Sequence, residues 1–366
     1  MLYLTRNNYS VILKNTLMNK RVGMKKIWVF SFLAIIIAGC RQHGVPDVSN
    51  IQVNIQVARF DKFMFEKADT NSIQQGLANL QASFPYFTGD FVTNILGLPP
   101  VRPGSNDSSA MATLSELKHF IRITRPLYDS LAPKFEEMSS LEKELTNGFK
   151  YVKYYFPGYK IPAVVAFVGP FNSPGIAITS QALAIGLQLY AGKDFSYYTS
   201  EQGMEIFPMY ISRTFEPQYI PVNAMKAVGE DIFPDKSAGK PLIDQMIEKG
   251  KQWWLLNKLL PNTPDSLKTG YTKQQLNWCL QNEGLIWNFF LQNNDLYSTE
   301  PALIKDYIGE SPTTQGMPED SPGNIGQWIG WQIVQKYEAK NPDLTPQEIM
   351  KTDPRKIFSE TKYKPR

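Results

Sequence analysis

The chain has 366 residues, 43% of them hydrophobic and 13% aromatic, with a formal net charge of +4. This composition supports a filled core and excludes a disordered chain. Residues 1–39 hold six Lys/Arg and no acid, so the chain from Cys40 onward carries about −2 and has no basic excess for nucleic acid.

The N-terminal segment reads as a secretory signal. Lys25 and Lys26 follow Met24, which looks like the functional start, and Ile27 to Ile37 form an apolar run of eleven residues. The run ends in Ile37-Ala38-Gly39-Cys40, small residues placed directly before a cysteine. A basic region, an apolar region and a small-residue cleavage site are the order of a signal peptide. A cysteine at the cleavage point is the pattern of a bacterial lipoprotein, cut before Cys40 and acylated on it. The apolar run is shorter than the roughly 20 residues that span a bilayer. Residues 1–39 are therefore read as a signal, 40–49 as a lipid-anchored tether, and 50–366 as the globular domain. Arg41 to Ser49 lack periodicity and carry Gly44 and Pro46. They also lack the acidic run that resembles a surface-export signal, which favours a periplasmic body held at the cell membrane or outer membrane.

Alternation of Ile51, Val53, Ile55 and Val57 with polar residues predicts a half-buried strand over Asn50 to Phe60. Helices are predicted at Ser72 to Leu80, Thr88 to Leu96, Ala112 to Ile123 and Ser139 to Tyr155. Ile161 to Val168, Gly175 to Thr179 and Ala182 to Tyr190 read as strands. From Pro208 onward the pattern is helical: Met209 to Phe215, Asn223 to Ile232, Pro241 to Leu260, Thr272 to Gln292 and Pro301 to Ile308. Ser311 to Asp320 is a polar loop. Ser321-Pro322 reads as N-cap and first helical position for a helix over Gly323 to Lys340, and Thr345-Pro346 repeats the device. The fold expected is α+β, one helix-rich domain with a small sheet of three or four strands.

Chemistry-bearing motifs are scarce. Two histidines, His43 and His119, cannot form a His-x-x-x-His pair, and there is no cysteine cluster, so neither a metal nor another cofactor is expected. No nucleophile elbow, calcium loop or phosphate-binding glycine loop is present. Glu136-Glu137, Glu230-Asp231 and Glu319-Asp320 are sequence neighbours, which do not converge on one substrate from a helix. No catalytic residue is assigned. Cys279 lies in an apolar helical context and reads as a buried thiol. Gly323, Gly326 and Gly330 share one helix side, where glycine costs about 1 kcal/mol each relative to alanine. Close approach of a neighbouring helix explains them better than an intermolecular groove. Trp328 and Trp331 flank them as core or as interface anchors. Arg213 is either buried, and then requires Glu216, Glu230 or Glu248, or lays its stem over apolar neighbours.

Three segments together with Cys40 carry a resemblance: Ala182 to Asp194, Ile211-Ser212-Arg213-Thr214-Phe215-Glu216-Pro217-Gln218-Tyr219-Ile220, and Gly316 to Gln332 with its Gly323-Asn324-Ile325-Gly326-Gln327-Trp328-Ile329-Gly330-Trp331 core. They resemble the gliding-motility lipoprotein GldB family of the Bacteroidota, over nearly all of the chain after Cys40. The resemblance implies an envelope lipoprotein needed for gliding and for the associated type IX secretion machinery, with the membrane and other envelope proteins as partners. A more distant likeness, in element order, is to a degenerate zincin-like metallopeptidase scaffold without its metal ligands, with helices at Ile211 to Glu216 and near Glu248-Lys249-Gly250. That implies a surviving groove, with Arg213, Glu216, Trp328 and Trp331 as its candidate residues. The leading expectation is a membrane-tethered, non-catalytic interaction protein. The alternative is a peptidase-like envelope hydrolase with a non-zinc site, which requires converging carboxylates; a purely structural anchor requires no groove.

Overall fold

The computed structural model of the chain describes residues 44–365 apart from 69–71, 103, 106 and 294. The signal segment, Met24 and Cys40 lie outside the described residues. Residues 48–366 form one compact unit.

Its centre is a four-stranded sheet in the order β1-β2-β4-β3. Strand β1 is Val57–Arg59, β2 is Ala163–Phe167, β3 is Ile176–Ile178 and β4 is Ala182–Gly186. The β1–β2 and β2–β4 pairs are parallel, with Val164 opposite Leu183 and Ala166 opposite Ile185. β3 pairs antiparallel with β4 and forms an edge. The inner strands read Ala-Val-Val-Ala-Phe and Ala-Leu-Ala-Ile-Gly because both of their faces are covered. Phe87 and Phe91 rest on Phe167 with ring centroids 5.7 and 6.0 Å away, closing one side.

Besides short helical stretches at Phe60–Lys67 and Thr88–Ile95, the latter where the sequence predicts one, the helices include α1 (Ile73–Ser83), α2 (Ser108–Leu131), α3 (Ser139–Tyr155), α4 (Glu201–Ile206), α5 (Met209–Ser212), α6 (Ile220–Ile232) and α7 (Leu242–Leu259). After them come α8 (Asp265–Thr269), α9 (Lys273–Gln281), α10 (Glu283–Gln292), α11 (Pro301–Ile308), α12 (Ile325–Lys340), α13 (Pro346–Lys351) and α14 (Pro354–Thr361). The architecture is thus the helix-rich α+β domain with a small sheet that the periodicities predict.

Several boundaries differ, each for a local reason. The alternation from Ile51 to Val57 is real in burial, yet only 57–59 join the sheet. Upstream, the Ile55 N–H donates to Thr146 Oγ1 (3.0 Å) and the Val57 N–H to Glu142 Oε1 (2.9 Å), so α3 side chains take donors that a neighbouring strand would otherwise satisfy. The helix expected over Thr272 to Gln292 divides at Asn282, whose side-chain amide donates to Trp278 O (2.9 Å) and ends α9. Ser321 is not an N-cap. Thr314 Oγ1 donates to Pro322 O (2.6 Å) and Thr313 bridges Pro322, which pulls that residue out of the helix. α12 starts three residues later, after Asn324 in the left-handed region (φ 45°). Thr345 does cap α13, in a reciprocal box with Glu348. The region Ile211 to Glu216 holds only the single turn α5, not a full helix of a zincin-like pair.

The closest packing is between α7 and α12. A Cβ on Gly250 would stand 2.1 Å from the Gly330 carbonyl carbon, and one on Gly330 would stand 1.7 Å from Met246 O. The two backbones touch at Gly330, as the glycine spacing predicts, whereas Gly326 meets Tyr307 O of α11 and Gly323 lies ahead of the helix, against Ser311 O. This contact seals Trp328 (0% exposed) and Trp331 (4% exposed) into the core, with Trp331 edge-on to Trp253 at 6.0 Å.

Candidate functional site

The four groove candidates do not come together. Trp328 and Trp331 are core residues, and the close α7–α12 contact is the reason. Glu216 accepts the Lys193 N–H at 3.0 Å and makes no ion pair with Arg213. Glu248 pairs with Lys251 at 2.9 Å and Glu230 is exposed, so none of the three carboxylates named for Arg213 is bound to it. Cys40 lies outside the described residues.

Arg213 instead lines a cavity of about 290 Å³, with α5, α6 and α8 and the two ends of the 311–320 loop around it. Its wall includes Tyr210, Ile211, Tyr219, Lys226, Leu267 and Tyr271. The loop's ends meet tightly: a Cβ on Gly323 would lie 2.0 Å from Ser311 O, so only glycine lets Glu310-Ser311 and Gly323-Asn324 share one wall. Tyr271 braces that wall, its hydroxyl 2.9 Å from both Gly323 O and Asn324 Oδ1. Gly270 follows α8 in the left-handed region (φ 75°), a conformation glycine adopts without a steric cost, and this turns its carbonyl to accept from Arg213 Nη2 at 3.0 Å.

Electrostatically, the site has unspent positive charge. Arg213 Nε is fully buried and has no hydrogen-bond partner. Lys226 is half-buried on α6 and has no hydrogen bond or ion pair among the described residues. Burial pulls its ammonium below the usual lysine range, an effect Glu310 and Glu230 only partly offset. Burial likewise raises the phenols of Tyr219 and Tyr271, which stay protonated as donors. The charged lining residues are Arg213, Lys226 and Glu310, a net +1. Asn223 and Lys226 also border a second cavity of about 350 Å³, reaching Gly175 and Ile176 at edge strand β3.

Lys226, Tyr271 and Asn324 were not singled out from the sequence. One signal was available for Lys226: it and Asn223 are three apart on α6, where every other residue from Ile220 to Gly229 is apolar, and residues three apart share a helix face. Nothing local marked Tyr271 or Asn324, whose positions depend on a loop closing back on α8.

Among the described residues no group of three or more His, Cys, Asp or Glu is placed to hold a metal ion, and no helix is long and apolar enough to cross a membrane. No curated protein and no solved structure matches the chain. A family model does, over residues 41–365, and by that match the chain belongs to the family of the gliding motility protein GldB.

Proposed function

We propose that this gliding motility family member is a non-catalytic interaction component of the cell envelope, held to a membrane by acyl chains on Cys40 and presenting its globular domain to other motility and secretion proteins. The observation that carries the reading is the Arg213 cavity. It has one cation, Lys226, with no hydrogen bond or ion pair among the described residues, a second, Arg213, bonded to the Gly270 carbonyl and to no carboxylate, and a single exposed carboxylate, Glu310, which equips it to bind and leaves it without the converging carboxylates a hydrolase of this kind requires. The signal pattern ending at Cys40 supplies the anchor, each buried methylene of the lipid contributing about 0.8 kcal/mol.

Crosslinking in cells, followed by purification from native membranes, tests this. The wild-type chain is expected to capture a stoichiometric envelope protein, and Cys40→Ala to lose it together with membrane retention. Capture of nothing by several crosslinker chemistries, or equal capture by Cys40→Ala, sinks the reading.

A further inference from the structure

The Arg213 cavity has the chemistry of a receptor for one negatively charged group, and its shape and surroundings narrow the class. Arg213 and Lys226 come from different elements, α5's C-cap and α6, and both line the same space. A third source of positive potential is the N-terminus of α12. This sixteen-residue helix has no side-chain cap, and Gly323 and Asn324 bring its start to the cavity wall. Arg213 Nη2 is held by Gly270 O at 3.0 Å, which fixes the guanidinium at the cavity wall, and a planar guanidinium suits oxyanions.

Three features select a carboxylate over a phosphate dianion. The net lining charge is +1, which matches a monoanion. Glu310 stands at the rim, repelling a second negative charge and offering an acceptor to an N–H beside the anion. One part of the wall, Tyr210, Ile211, Tyr219 and Leu267, is apolar or aromatic and offers a surface to a side chain, while Thr214, Asn223, Thr269 and Ser311 add hydroxyl and amide groups. The volume, about 290 Å³, is at the small end of the roughly 300–1,000 Å³ of ligand pockets and suits a terminal residue. The adjoining cavity, which shares Asn223 and Lys226, leads toward β3 and gives the preceding residues a path outward.

We propose that this cavity captures the free C-terminal carboxylate of a partner polypeptide, with Arg213 and Lys226 holding the carboxylate, Glu310 accepting the adjacent peptide N–H, and the terminal side chain lying on Tyr210, Tyr219 and Leu267. The inference rests on the reading of the chain as an interaction component and names the chemistry of the group it grips.

The test uses the full-length lipidated protein in detergent and fluorescence anisotropy. Two pools of labelled heptapeptides, randomised at the last two positions, differ only in ending as a free acid or an amide. The acid pool is expected to bind at least tenfold tighter, with the preference reduced at least tenfold in Arg213→Gln and in Lys226→Met. Equal binding of acid and amide, no binding of either, or an amidated peptide with an internal Glu binding as well as the acid pool overturns the proposal. So does displacement of the acid pool by inorganic phosphate at lower concentration than by acetate. The acid-against-amide comparison needs only the wild-type chain, so a misfolded variant does not blunt it. Crosslinking separates the two readings. A partner kept by Arg213→Gln but lost by Cys40→Ala removes the carboxylate site and leaves the tethered module. Acid-selective peptide binding without any captured partner does the reverse.

Discussion

Lys251 shows how this fold uses a buried charge. It is 2% exposed, and its ammonium donates to Met350 O (2.9 Å) and Thr352 O (3.1 Å) while pairing with Glu248. Those carbonyls end α13, where a helix leaves acceptors unsatisfied and its dipole favours a cation. Lys251→Met keeps the stem and removes the charge, leaving two carbonyls and Glu248 uncompensated. A loss of about 2–4 kcal/mol is expected, read as a lower urea midpoint at unchanged slope. Arg213 is the contrasting case. Its oddity was visible in the sequence, where a buried arginine called for a carboxylate, yet Gly270 O and an open cavity replace that partner. Which groups surround a long side chain depends on segments far away in the chain, here α8 and the 311–320 loop, and no local pattern encodes them.

Among elements, the α7–α12 pair is the most constrained. Gly330→Ala places a methyl against the Met246 carbonyl, and α7 cannot move away without opening the tryptophan core. A destabilisation of about 3 kcal/mol or more is expected, at the upper end of overpacking costs. Gly89→Ala is the control. A Cβ at Gly89 meets nothing within 4 Å, so the urea midpoint is expected to stay or rise slightly. Helices α3, α7 and α11 fall within a residue of expectation, as does the edge strand β3, whereas α2 begins four residues before the expected Ala112 to Ile123 and ends eight beyond it. Where other boundaries moved, competition for backbone hydrogen bonds set them, as Thr146 and Glu142 did before β1, Asn282 between α9 and α10, and Thr314 ahead of α12.

At the scale of the whole molecule, one hydrophobic core links the sheet to the C-terminal helices, and Cys279 reports on its integrity. It is fully buried, and burial pushes its thiol up to about 12. The raised value means the neutral thiol is favoured on folding. Its contribution is fully present below the ordinary thiol range and is lost as pH rises through about 12. In Cys40→Ala, Cys279 is the sole cysteine. Alkylation by iodoacetamide at pH 8 is expected to be at least a hundredfold slower in the native protein than in urea, and to accelerate with global unfolding. Rapid native alkylation would mean that the helices around Cys279 open independently of the core.

The sequence by itself determined the family resemblance, the α+β class, the glycine contact at Gly330 and the absence of familiar catalytic motifs, because each is written in residues adjacent or periodic along the chain. Tertiary structure alone decided that Trp328 and Trp331 are core and that Glu216 accepts from the Lys193 N–H and does not pair with Arg213. It also decided that Arg213 shares a cavity with Lys226, Tyr271 and Asn324. Those outcomes depend on which surfaces meet across long sequence separations, and burial and charge at a meeting point are properties of the contact, not of either segment alone.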